Sequence, residues 1–392
     1  MKTKLNVHHA VEGTLALLLV LALAPLALGQ GALTPPGPPA PMMKTLEQIE
    51  PRTPIKSLPC VIAVPGSYYL VANLTGVPAA DGITVQADHV TIDLRGFALI
   101  GGGGGSGIVA AGRTGLRVGN GSIVNWSGNG VVATNTPGGG FVPVNCQCEQ
   151  LRLTGNGGNG LLLSGGASVI ACLSVSNGLA GGIGGGGGGY GIQVSGQSLV
   201  KDCVASQNSL GGGFASFGPG SVFVGCSASS NSMGFFIGGG ARITDCAASF
   251  NSAQGIATGP GCSVIGCTAF YNGTDGIFVP DGGTIKDCKA KWNAGNGIEV
   301  STDCYVFGNT CDFNTAAGIK TMSGSNRIDS NHVTANTTGI DCSGTVDNFV
   351  VRNSAHGNTL MSYNFPAGTR SAAVMVPGLN FATDQAWGNF SW

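Results

Sequence analysis

Three ionisable residues stand 21 apart in this chain: Glu299, Lys320 and Asp341. Each directly follows a glycine-isoleucine pair, at Gly297-Ile298, Gly318-Ile319 and Gly339-Ile340. Two carboxylates on one surface could act as the acid and base, or the acid and nucleophile, of sugar-bond hydrolysis. The same register upstream holds Gln193, Ala215, Phe236, Ala257 and Phe278. Phe236 and Phe278 would be plates on which sugar rings could stack, and Lys320 a contact for a ligand. Glu299 and Asp341 are therefore the candidate catalytic residues, and Phe236, Phe278 and Lys320 the candidate ligand-binding ones. The plainer reading of the charged part is a ladder of exposed cross-strand ion pairs, each worth little.

Other polar groups read as structure. Asp202, Asp245 and Asp287 share a register with Gly225, Gly266 and Gly308. A position that accepts Asp or Gly is a turn favouring left-handed backbone. His89, Asp93 and Arg95 read as a surface pairing. Lys289, Lys291 and Trp292 could touch an acidic glycan, yet also fit a solvated face. Cys146-Gln147-Cys148 has no histidine nearby and no CxxC pair exists, so neither a metal nor a cofactor is expected.

The elements that place these residues follow from the spacing. Gly-apolar pairs at residues 191, 213, 234, 255, 276, 297, 318 and 339 are separated by 22 once and by 21 six times. A second series, Cys203, Cys226, Cys246, Cys267, Cys288, Asn309, Asn331 and Asn353, keeps step. So does a third, Asn208, Asn231, Asn251, Asn272, Asn293, Asn314, Asn336 and Asn358. Three registers locked to one period mean a solenoid with one repeat per turn. Each repeat carries short apolar pieces between Asp, Asn and Gly, without helical spacing, so the turns are built of strands.

Like residues then stack on like at about 4.8 Å. Val169, Val200, Phe223, Ile243, Val264, Ile285, Val306, Ile328 and Val350 should face inward, as should Ala205, Ala228, Ala248, Ala269 and Ala290. Stacked Asn amides should hydrogen-bond along the axis. Glu299 and Asp341, two turns apart, would be separated by about 9.6 Å, at the upper edge of the spacing in inverting glycosidases. Looser repeats at Gly82-Ile83, Gly107-Ile108, Gly130-Val131 and Gly160-Leu161 bring the total to about twelve coils. Excess residues at Pro137–Gly140 and Gly178–Gly189 read as loops pushed out of the coil, the second a possible flap over a groove.

The ends read differently. Lys2 and Lys4 precede an apolar run from Leu15 to Leu28, with small residues at Ala27 and Gly29. Residues 1–29 therefore read as a secretory signal peptide and 30–43 as a Pro/Gly-rich linker. Residues 44–80 are expected to form an N-terminal cap, 81–359 the coil, and 360–392 a C-terminal cap with Phe381, Trp387, Phe390 and Trp392. No later run is long enough to span a bilayer, so no membrane insertion is expected after signal cleavage. The expected location is secreted or on the extracellular surface. Net charge is −1 from 18 basic and 19 acidic residues, which argues against nucleic acid as a partner. The 13 cysteines of an exported chain would ordinarily suggest disulfides. Six of them share one ladder position (Cys172, Cys203, Cys226, Cys246, Cys267, Cys288), where parallel Cβ vectors disfavour disulfide geometry, so they read as buried packing.

Residues 81–108, DGITVQADHVTIDLRGFALIGGGGGSGI, resemble the opening coils of right-handed parallel β-helix repeat proteins of the pectate-lyase-like superfamily. The stretch Glu50–Pro59, the segment PGSYYLVANLTG after it, and the ladders from Gly160 to Asn358 extend the likeness. The fold implied is all-β, a right-handed parallel β-helix capped at both ends. The superfamily holds polysaccharide lyases, hydrolases, epimerases, phage tailspikes and surface proteins, so the fold does not choose among them. The Asn-Thr-Asp, Asp-Asp, Gly-His-Gly and Arg-Ile-Lys motifs of polygalacturonase-like hydrolases are absent, as is the clustered-Asp calcium pattern of pectate lyases. The expected protein is a non-catalytic surface or matrix protein that binds polysaccharide along one face. The alternatives are a polysaccharide lyase or glycoside hydrolase, and a tailspike-like adhesin.

Overall fold

One turn shows how the chain coils. Ile277–Asp281 forms the first strand, Thr284–Lys286 the second and Lys289–Lys291 the third. A bend at Asp287-Cys288 separates the second and third, and Trp292-Asn293 makes the corner before the next Gly-apolar pair. The computed structural model describes residues 50–135, 144–178, 189–344, 346–376 and 386–391, and every regular element among them is a strand. The segments read above as signal peptide and linker, residues 137–140, all but the ends of 178–189, and Phe381 and Trp392 lie outside the described residues.

The first strands of the turns stack into one parallel sheet of 14 strands, and the second and third rows make up a 28-stranded sheet. Fourteen strands in one row correspond to about thirteen turns of a parallel β-solenoid. Successive turns pair in register, for example Ile277 with Ile298 and Ile298 with Ile319. The described residues from Arg52 onward form one compact unit. Parallel pairing begins early. Thr53–Ile55 pairs with Gly66–Leu70, and Cys60–Ile62 with Ile83–Val85. At the far end Asn389–Ser391 joins Ser354–His356.

The interior is the stack read from spacing. Val200, Phe223, Ile243, Val264, Ile285, Val306, Ile328 and Val350 are all fully buried, as are Ala205, Ala228, Ala248, Ala269 and Ala290. The six ladder cysteines are at most 2% exposed, and no described cysteine is in a disulfide. Their thiols bond to backbone, as when the Cys288 Sγ–H donates to the Val264 and Lys286 carbonyls.

The Asn corner is continuous from Asn156 to Asn358. Each amide nitrogen donates to the next residue's Oδ1, as from Asn293 to Asn314 at 2.9 Å and from Asn314 to Asn336 at 2.9 Å. The backbone N–H of each donates to the same oxygen. The Asp turn is left-handed as expected: φ is 53° at Asp202, 52° at Asp245 and 53° at Asp287, with Gly225, Gly266 and Gly308 between 63° and 67°. The glycines of the Gly-apolar pairs are needed for a different reason. A Cβ on Gly297 would lie 2.6 Å from the Gly318 carbonyl oxygen and 2.7 Å from the Asn314 amide nitrogen. Only a hydrogen fits where neighbouring turns approach so closely. At the first coils Val90, Ile92 and Leu94 point inward. Asp93 takes its ion pair from Arg52 at 2.8 Å, a partner supplied by the segment ahead of the coil.

Candidate functional site

Because alternate residues of a strand face opposite ways, the residue after each inward-pointing Ile or Phe faces out. The 14-stranded sheet aligns these outward residues into a single row. Gln193 pairs with Ala215, Ala215 with Phe236, Phe236 with Ala257, and Ala257 with Phe278. Phe278 then pairs with Glu299, Glu299 with Lys320, Lys320 with Asp341, and Asp341 with Asn364. All five sequence-derived candidates thus stand in one line, and the line spans about 38 Å at ordinary strand spacing.

The aromatic part is broader than the spacing indicated. Phe236 is 41% exposed and Phe217 42%. Their ring centroids are 5.8 Å apart, and Tyr190 meets Phe217 edge-on at 6.0 Å. Ala215 and Ala257, in the same row, are buried, so the larger side chains around them cover these positions. Phe278 is half-buried. Phe217 and Tyr190 lie outside the repeating register, Phe217 three residues after the Gly213-Phe214 pair and Tyr190 one before the Gly191-Ile192 pair. Their signal was aromatic character at the flanks of a Gly-apolar pair.

The charged part is tied down. Lys320 Nζ lies 4.0 Å from an Asp341 carboxylate oxygen. Asp341 also accepts from the Ser343 backbone N–H at 2.9 Å and the Asn364 amide at 3.0 Å. Glu299 accepts from the Asn296 amide at 2.7 Å. Burial, and then the nearby Asp275 charge, push the Glu299 carboxyl above its ordinary range, against the opposing pull of Lys320 and Asn296. In register, Lys320 stands on the strand between those of Glu299 and Asp341. No group of three or more His, Cys, Asp or Glu suited to a metal occurs among the described residues.

A second exposed feature was only partly legible. Trp292, named with Lys289 and Lys291, belongs to a corner column of Phe250, Tyr271, Trp292 and Phe313, each just ahead of a ladder Asn. Centroids are 5.4 Å apart for Phe250–Tyr271 and 5.0 Å for Tyr271–Trp292, with the rings 9° and 25° from parallel. Lys291 lies 4.3 Å from the Trp292 ring and 5.1 Å from that of Phe313. Phe250, Tyr271 and Trp292 stack on one another, and all four rings stay exposed to solvent. They suit self-stacking, worth about 0.5–1.5 kcal/mol per pair, better than sugar stacking.

The right handed beta helix region family matches residues 145–283 and 257–365, more than half of the chain, and the chain belongs to that family. Among solved structures it is similar to the A-module of the Azotobacter vinelandii mannuronan C-5 epimerase AlgE4. Identity is 15%, the match covers 78% of this chain and 91% of that one, and the TM-score is 0.52. It is also similar to the periplasmic alginate epimerase AlgG, at 15% identity, covering 84% of this chain and 78% of that one with TM-score 0.43. Tailspike protein 3 of bacteriophage CBA120 aligns at 9% identity over 82% of this chain and 60% of its own, with TM-score 0.46. No curated protein matches the sequence. At such identities the likeness to AlgE4 establishes the fold alone.

Proposed function

We propose that this protein is an exported, non-catalytic surface or matrix protein that binds polysaccharide along the outer face of its 14-stranded sheet. The observation that carries the reading is the unbroken row from Gln193 to Asn364, in which aromatic plates give way to charged and amide groups. An extended polymer needs an extended site, and a solenoid offers one built on rigid strands. Phe217, Phe236 and Phe278 would supply apolar contact area for sugar faces, and Gln193, Lys320 and Asn364 would supply hydrogen bonds to hydroxyls. The placement of Lys320 favours binding over hydrolysis. Inverting hydrolysis needs open room for water and the sugar between its carboxyls, and here the intervening strand position holds Lys320, whose ammonium pairs with Asp341. Similarity to proteins named as alginate epimerases and as a tailspike is compatible with this reading.

The test is a glycan array with the mature chain, repeated with Phe236→Ala/Phe278→Ala. Binding should be lost in the double variant while far-UV circular dichroism stays unchanged, because outward residues contribute little to the core. Turnover of any polysaccharide that stops in Glu299→Gln or Asp341→Asn would replace this reading with that of a hydrolase or lyase. A stable trimer that binds cell-surface glycan would favour the tailspike-like adhesin instead.

A further inference from the structure

The second row of strands carries a different arrangement near the C-terminal end. Its outward residues run Tyr305, Arg327, Phe349 and Arg370 in register over four successive turns. Arg327 lies between two rings, 5.6 Å from the Tyr305 centroid and 5.4 Å from that of Phe349. Arg352, at the following bend, lies 4.9 Å from the Trp387 ring. Both guanidiniums are fastened to one carboxylate. Arg327 donates through Nε and Nη2 to Asp329 Oδ2, and Arg352 donates through Nε to Oδ1 and through Nη2 to Oδ2. The Ser330 hydroxyl donates to Oδ1 as well.

Accessibility decides what this cluster shows to solvent. The Asp329 side chain is 0% exposed, whereas Arg327 is 45% and Arg352 37% exposed. The neutralising carboxylate is therefore hidden, and the surface meets two fixed cations. Each uses only its Nε and Nη2 on Asp329, and among the described residues neither Nη1 has a hydrogen-bond partner. Guanidiniums held in place lose little freedom on binding, and their N–H forks match a carboxylate. Beside them Phe349, Val351, Arg370, Ser371, Ala372 and Trp387 line a mainly apolar cavity of about 380 Å³, which suits a sugar-sized group.

We infer that this wall, separate from the row on the 14-stranded sheet, binds a carboxylate-bearing glycan. The Arg327 and Arg352 Nη1 edges take its charge, and Phe349 and Trp387 its ring faces. A carboxylated chain with about one charge per sugar fits better than a densely sulfated one. Exposed Asp303 and Asp347 flank the wall, and Arg370 is partly spent on Asp347 at 3.6 Å, so its three arginines are matched by three aspartates and recognition falls to the local guanidinium forks, not to net charge. The inference rests on the polysaccharide reading above only in taking a sugar polymer as the carrier of the charge.

The test is calorimetric titration of the mature chain with three hexamers: a 1,4-linked uronic acid, the matching neutral hexose, and its sulfated form. The uronic acid hexamer should bind, and bind more weakly as salt rises. Arg327→Gln/Arg352→Gln/Asp329→Asn removes the cations together with the carboxylate they would otherwise leave buried and unpaired. It should weaken binding about tenfold or more, as the loss of charge-assisted contacts implies. Trp387→Ala should weaken it without disturbing the Arg–Asp cluster. Arg352→Lys keeps the charge and loses the fork, so it should fall between wild type and the triple variant. A neutral glycan held on the array reports the sheet face, whereas the salt-dependent uronate binding that falls with the arginine forks reports this wall, so failure of the sheet-face reading and failure of this one are distinguishable. No binding of the uronic acid hexamer would overturn the inference. So would equal affinity for the neutral or sulfated hexamer, or unchanged affinity in folded Trp387→Ala and Arg352→Lys.

Discussion

Two carboxylates in this molecule are held in opposite ways, and their titration should show it. For Asp329 burial alone would raise the carboxyl, yet hydrogen bonds from Arg352, Arg327 and Ser330 outweigh it and hold the group below its ordinary value. A depressed folded value means the ionised form favours the fold. That stability should be complete above the unfolded carboxyl value of about 3.9 and be lost as pH falls through the lower folded value. Asp329→Asn should cost about 1–3 kcal/mol at pH 7, typical of hydrogen bonds to charged groups, and much less near pH 2. Urea unfolding at the two pH values measures this, and an equal cost at both would mean the carboxylate charge is immaterial. Glu299 behaves in reverse. Its raised value means the native state holds its proton longer, so stability falls as pH rises from about 4.3 through the folded value. Glu299→Gln should therefore melt at or slightly above the wild-type temperature at pH 7, and match wild type at pH 4. A clear fall in melting temperature at pH 7 would show that the ionised carboxylate stabilises the coil, against its burial.

At the scale of the repeat, the Asn corner and the Gly-apolar pair hold one turn on the next. Asn293 donates to the Ala269 carbonyl at 3.2 Å and to Asn314 at 2.9 Å, and it accepts from Asn272. Asn293→Ala leaves buried groups on both neighbours without partners, at about 1–3 kcal/mol for each group. Gly297→Ala should be at least as damaging, because the added methyl meets backbone of the adjacent turn. Thermal melts would check both, and a loss under about 1 kcal/mol at Asn293 would mean water replaces the missing amide. These features were legible in the chain because a period of 21 forces equivalent residues onto equivalent walls. The legibility ends where the period does. Asn389 takes the next place after Asn353 in the second Asn ladder, accepting from its backbone N–H at 3.1 Å, although 36 residues separate them. The pairing of Arg327 and Arg352 with Asp329 was equally hidden. It joins an outward strand position to a bend one turn later, and no single register contains both. The sheet-face row was readable residue by residue, whereas the contacts of Tyr190 and Phe217 with it depend on side-chain directions that spacing does not encode.

For the whole molecule, a solenoid has no distant contacts to close. Each turn touches its neighbours, so the interior is a tube whose contents change little from end to end. That geometry accounts for 13 cysteines without a disulfide among the described residues. Neighbouring ladder cysteines lie on parallel strands with parallel Cβ vectors, an arrangement that opposes the dihedral a disulfide needs. At cysteines outside that ladder, burial also suppresses the chemistry. It pushes the Cys342 thiol up to about 11, and it raises Cys262 and Cys304 as well. At those three sites thiolate, the reactive form, is scarce at neutral pH, and for the ladder cysteines burial keeps reagent away. Burial raises the Cys60 thiol too, but Cys60 lies on the first strand of the 14-stranded sheet and is only partly buried, so reagent can reach it. A thiol reagent applied to the native protein should therefore label Cys60 alone. The other twelve should react only after denaturant unfolds the coil, and the total should reach the full count without a reducing agent. A total short by four or more in the absence of reductant would mean ladder cysteines are cross-linked, and the inward parallel placement of that wall would have to be abandoned. Early labelling of Cys172 to Cys288 with native circular dichroism would instead show that the tube opens locally, turn by turn.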